Sequence, residues 1–151
     1  MSTGGDRSLV DHTGEAAQRR DRMQACLDAL DRAGALADGD PTWREVAWQA
    51  VDDAGATWAR HVPATEAPDG ILADVLAREP RLAHLVDTLQ ADHREVAALL
   101  DEAAAAIAAE GGDEASARRA VARLRDRMAR HHAAGAELLY EAYAVDLGGG
   151  G

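Results

Sequence analysis

The sequence predicts an all-α protein, a single antiparallel up-down bundle of four helices. Three observations carry that expectation. Ala and Leu dominate the apolar residues, which make up 47% of a 151-residue chain, while aromatics are 3% and Phe is absent; Ala and Leu are strong helix formers, and β-branched and aromatic residues are the strand formers. Apolar residues recur at steps of three and four, the spacing that puts them on one face of a helix. Gly and Pro then divide the chain into four long segments, with short links inside two hairpins and one longer link between them.

The segments follow in order. The first helix is expected from about Ser8 to Ala33, with Ser8 and Asp11 at capping-box spacing and Gly34 and Asp38-Gly39 closing it. Asp40-Pro41 opens the second as N-cap and first-turn proline, and Pro63 is expected to end or kink that helix just after His61. Residues 63–79 read as a connection with one short helical stretch, Ile71 to Ala77. Pro80 opens the third helix, which runs to about Glu110, and Gly111-Gly112 stops it. Asp113 caps the fourth, which reaches about Tyr143. Three regions are therefore expected: a disordered N-terminus at 1–7, the bundle at 8–147 and a flexible Gly tail at 148–151.

Composition narrows the function. The formal net charge is -11, and all 16 basic residues are Arg. An acidic surface of this kind argues against nucleic acid and anionic lipid as partners. Cys26 is the sole cysteine, which excludes an intrachain disulfide and a thiolate zinc site. Met1 to Asp6 has no basic stretch leading into an apolar one, and the longest apolar run, Ala103 to Ala109, is far too short to span a bilayer. A cytoplasmic protein is the expectation.

Histidines carry the chemical signal. His93 lies in the stripe Leu82, Val86, Leu89, His93, Val96, Leu100, and His131 in the stripe Val121, Leu124, Met128, His131, Gly135, Leu138. On the second helix Ala47, Ala50, Ala54 and Trp58 lead to His61; on the first, Leu9, His12, Ala16, Met23, Leu27 and Leu30 form a stripe that Arg19 interrupts. Counted from the centres of the hairpin turns, His93 pairs with His131 in depth and His12 with His61. The two pairs differ by about 8 Å at ~1.5 Å rise per residue, an offset that unequal turns can absorb. A lone histidine on an apolar stripe is ordinarily a hydrogen-bonded core residue. Several at similar depth, with few polar neighbours on their stripes, point to a metal ion that satisfies them together. No HExxH occurs, and no histidine has an acid three residues before it. The remaining donor set suits iron, ahead of zinc or manganese.

The stretches WARHVPATE, PRLAHLVDTLQADH and RHHAAGAELLYEAYAVDLGG make Trp58 to Leu147 resemble the hemerythrin-like (HHE cation-binding) family as found in actinobacteria. The resemblance implies a four-helix bundle around a non-haem di-iron site with His and carboxylate ligands, handling O₂, peroxide or nitric oxide. Carried over, His61 and Glu66 match the second-helix pair, His93 the third-helix ligand, and His131 or His132 with Glu137 the fourth-helix pair. Here His61 and Glu66 are five apart with Pro63 between, and Leu89 and Ala97 stand four residues either side of His93. His131 lies on the stripe, which favours it over His132. His84, nine residues before His93, falls on the opposite side of its helix; with His61, Glu66 and Glu141, near Tyr140 and Tyr143, it defines a rival arrangement at the bundle's mouth. The expected metal ligands are thus His12, His61, Glu66, His84, His93 and His131. The expected cofactor is iron, two ions by family pattern. The expected function is sensing, peroxide consumption or oxidation of a small molecule; a protein partner or homodimer is also compatible. The competing expectation is a metal-free, degenerate bundle serving as an interaction module, with Arg118 to Arg130 as a docking face.

Overall fold

A computed structural model describes the backbone of residues 9–148 and the side chains of residues 14–144. Among the described residues all regular secondary structure is helical: α1 (Leu9–Ala35), α2 (Trp43–Glu66), the short α3 (Ile71–Arg78), a 3₁₀ turn (Pro80–Leu82), α4 (Ala83–Ala108) and α5 (Glu114–Gly148). The four long helices form a bundle in which α1 packs on α2 and α5, and α4 on α2 and α5. No described helix is long and apolar enough to cross a membrane. The segment 1–7 and nearly all of the Gly tail lie outside the described residues.

Local chemistry explains where the helices start and stop. Asp40 does not begin α2 as its N-cap. Its Oδ1 accepts from the Thr42 backbone N–H (2.8 Å) and hydroxyl (2.7 Å), so residues 40–42 form a turn and the helix starts at Trp43. Gly39 supports that turn with φ +79, a conformation that side chains resist. Asp113 does cap α5, its carboxylate accepting from the backbone N–H groups of Ala115 (3.3 Å) and Ser116 (3.2 Å). The two hairpin corners are tied together. The Gly39 N–H donates to Glu114 (2.9 Å), and Arg118 donates to the carbonyls of Leu36 (2.9 Å) and Ala37 (2.8 Å).

Pro63 does not end α2, which continues to Glu66. The proline forfeits one ladder bond for want of its N–H, and Thr65 and Ala67 hold the last turn. The Thr65 hydroxyl donates to the His61 carbonyl (2.9 Å), and the Ala67 N–H to that of Pro63 (3.1 Å). The chain then turns back tightly: a Cβ on Gly70 would lie 2.8 Å from the Ala64 carbonyl, so only glycine fits. Pro80 opens the 3₁₀ turn, and α4 proper begins three residues later.

The core falls into two parts. Toward the hairpin corners, Met23, Leu27, Leu30, Trp43, Val96, Leu100, Leu124 and Met128 pack together. Toward the other end, α3 supplies Ile71, Leu72 and Val75 against Val86, Leu89, Leu138 and Ala142. On α4 the break falls between Leu89 and Val96, and on α5 between Met128 and Leu138. His93 and His131 occupy those gaps.

Candidate metal centre

His61, His93 and His131, from three different helices, converge so that one ring nitrogen from each lies within 4.8 Å of the others. Their ring centroids are 5.0–5.3 Å apart. His93 and His131 are buried among the apolar residues of their stripes. His61 belongs at the same level: it comes 18 positions after the start of α2, and His131 comes 17 after the start of α5. Counting from residue 37 misplaces it, because the first connection runs on to residue 42 before α2 begins. Trp58, one turn before His61, backs the cluster. Its ring stacks on His61 (5.1 Å, 27°), meets His93 and His131 edge-on, and its Nε1–H donates to the His93 carbonyl at 3.1 Å.

Two carboxylates orient the imidazoles. Glu66 Oε1 lies 2.9 Å from His93 Nδ1, and Asp92 Oδ2 lies 3.1 Å from His131 Nδ1. An ionised carboxylate only accepts, so both Nδ1 atoms carry the proton and both Nε2 atoms present a lone pair. Asp92 is held in turn by Arg127 (2.7 Å), which also pairs with Glu95. His61 Nε2 lies 3.1 Å from His131 Nε2, while His61 Nδ1 is buried with no hydrogen-bond partner among the described residues.

Electrostatics favour the neutral form of His61 and His131. Burial, reinforced by the neighbouring His131 and His93, pushes the His61 pKa down to about 3. Burial also lowers His131, against the opposing pull of Asp92. Neutral imidazole is the metal-binding form. Beside the cluster lies an apolar cavity of about 70 Å³, walled by the three histidines with Met23, Leu72 and Leu138, and bordered by Gly135.

The other expected ligands fall elsewhere. Glu66 reaches the cluster through His93 rather than through His61. His84 is exposed in the first turn of α4, and Glu141 is exposed and pairs with Arg81 at 3.4 Å, so the rival mouth arrangement is not assembled. Glu137 is exposed, and His132 is half-buried at the cavity rim, its pKa lowered by burial and by Arg20. Tyr140 is 72% exposed, and the Tyr143 hydroxyl donates to Asp74. His12 lies outside the residues whose side chains are described. Sequence reasoning missed Asp92. Its signal was present, since it stands three residues after Leu89 and four before Val96, at the edge of the buried stripe.

What fold and site define is the class of helical bundles with a buried, carboxylate-backed cluster of histidines. Comparison with known proteins found no match, whether among family models, curated proteins or solved structures.

Proposed function

We propose that this protein is a hemerythrin-like non-haem iron protein, an antiparallel up-down bundle in which His61, His93 and His131 hold the metal. The observation that carries this reading is the cluster itself: three imidazoles whose ring nitrogens lie within 4.8 Å, two of them backed by carboxylates at Nδ1. Ligating histidines characteristically donate their second ring N–H to such a partner. The donor set fits an ion, because the 3.1 Å between His61 and His131 is the span of adjacent ligands whose bonds are about 2.1 Å. All-nitrogen donors suit iron or zinc ahead of manganese. Glu66 and Asp92 are already engaged with imidazoles, which favours one ion over a carboxylate-bridged pair.

A bound iron would supply redox chemistry toward O₂ or peroxide. The chain's own part is to keep His61 and His131 neutral, fix the tautomers of His93 and His131 and border the cluster with an apolar cavity that holds a small molecule. A metal-free bundle is the second reading, favoured by the His61–His131 contact, through which Nε2 of each finds a partner.

Elemental analysis of the untagged protein, before and after anaerobic iron loading, separates the two. The metal reading expects roughly one equivalent of iron, lost in His61→Ala, His93→Ala and His131→Ala and kept in His132→Ala. Less than about a tenth of an equivalent of any metal after loading refutes it. Consumption of peroxide or O₂ by the loaded protein then distinguishes an enzyme from a sensor.

A further inference from the structure

Arg19 breaks the apolar stripe of α1, and its position is not explained by the histidine cluster alone. Its side chain is only 15% exposed. Among the described residues its one ion pair, to Glu15 on the same helix, is at 4.0 Å, the outer limit of such a contact. Burying a guanidinium is costly unless an anion meets it at hydrogen-bonding distance. Desolvation accordingly lowers its pKa, and Glu15 only partly opposes that.

Arg19 lines two hollows. On one side is the apolar cavity of about 70 Å³ beside the three histidines, which Arg20 and His132 also border. On the other is a groove where Arg19, Arg22, Arg60 and His61 face two carboxylates, Glu15 and Asp69. In a chain with 27 acidic and 16 basic residues, the cavity side carries Arg19 and Arg20 with no acid, and four arginines against two carboxylates leave the whole region net positive. The cavity walls beyond it are hydrocarbon: Met23, Ile71, Leu72, Leu138 and Leu139. Positive charge at the rim and a small dry pocket behind it fit a molecule with an anionic head and a short aliphatic tail. The volume admits about five to seven water-sized groups, given that one water needs about 10–15 Å³ on the same measure.

We propose that Arg19 and this cavity form a binding site for a short-chain aliphatic carboxylate, with the carboxylate on the guanidinium and the tail between α1, α3 and α5. A planar guanidinium matches a carboxylate through two parallel N–H donors. The tail would lie against His61, His93 and His131. The site goes beyond the metal reading and does not require it, because none of its contacts runs through an ion.

Calorimetric titration of the purified full-length protein, its metal content measured, tests the proposal with sodium propionate and butyrate. Saturable binding is expected, with propanamide and nitrate each at least about tenfold weaker because one lacks the charge and the other the tail. Arg19→Met keeps the aliphatic stem and is expected to weaken propionate at least about tenfold with the helical circular dichroism unchanged, whereas the exposed Arg123→Met leaves it unaltered. Gly135→Leu fills the cavity without touching Arg19; an added Cβ there meets nothing within 4 Å. It is expected to weaken butyrate more than formate. Binding that depends on Arg19 and survives chelation supports the site. Binding that disappears on chelation and ignores Arg19→Met overturns it while leaving the metal reading intact. Propanamide equal to propionate, or no saturation up to about 50 mM, also overturns it.

Discussion

Asp92→Asn is the sharpest single test of how the cluster is held. The Asp92 side chain is 11% exposed and uses its two oxygens differently: one accepts from Arg127 at 2.7 Å, the other from His131 Nδ1–H at 3.1 Å. An amide has one oxygen. Arg127 can only donate, so the Asn oxygen must face it, and the amide NH₂ then faces His131. Nδ1 of His131 is forced to accept, the proton moves to Nε2, and the lone pair aimed into the cluster is lost. Reversed second-sphere contacts of this kind cost ~10–100-fold in metal affinity, or ~1.4–2.7 kcal/mol. Asp92→Ala is the stability control. It removes two charge-assisted hydrogen bonds worth ~1.5–3 kcal/mol each, while Arg127 retains Glu95, so a net loss of about 2–4 kcal/mol is expected. Long-range ¹⁵N NMR of the metal-free protein reads the tautomer, and competition with a chromophoric chelator reads the affinity. The reasoning fails if His131 in Asp92→Asn still carries its proton on Nδ1. It fails equally if metal affinity stays within about twofold of the parent.

Two further outcomes follow from the same structure. The depressed pKa of His61, about 3 against an ordinary 6.5, and the lowered pKa of His131 mean that the folded protein binds fewer protons than the unfolded chain across that interval. Stability of the metal-free protein is therefore full above about pH 6.5 and falls as pH drops, with His61 alone costing on the order of 2 kcal/mol at pH 5; His61→Leu should flatten the slope in urea unfolding between pH 5 and 7.5, and an unchanged slope contradicts the assignment. Tyr143→Phe removes the hydroxyl that ties α5 to Asp74 on α3, at a cost of about 1 kcal/mol. Amides of α3 should then exchange faster while those near the hairpin corners do not, and unaltered exchange in α3 would show that this bond does not hold the segment down.

Helical character was legible in the sequence because it depends on local terms. Ala and Leu content, the three-four spacing and the Gly and Pro stops each act within a few residues, and the structure is helical over the four long segments they mark out. Local terms were misjudged where a neighbour decides. Pro63 reads as a terminator, yet at the last turn it forfeits little and α2 runs on to Glu66, which carries that carboxylate to His93. Asp40 reads as a cap, but its side chain closes a turn instead.

The inward facing of His93 and His131 was likewise written in periodicity, since a residue's face on a helix depends on its spacing from Leu89 or Met128 alone. Which histidines share a level was not, because axial offset between helices is set by where each connection releases the chain. The connection after α1 ends at residue 42, and that places His61 3.1 Å from His131. Partner choice is also tertiary. Asp92, Arg127 and Glu66 come from three helices and meet the imidazoles only once the bundle closes. Sequence alone thus determined which elements form and which faces they bury, as those follow from neighbours along the chain. Packing alone decided that His61, His93 and His131 meet, that two carboxylates set their tautomers, and that Arg19 lies against a dry cavity, because each needs groups far apart in sequence brought within a few ångströms.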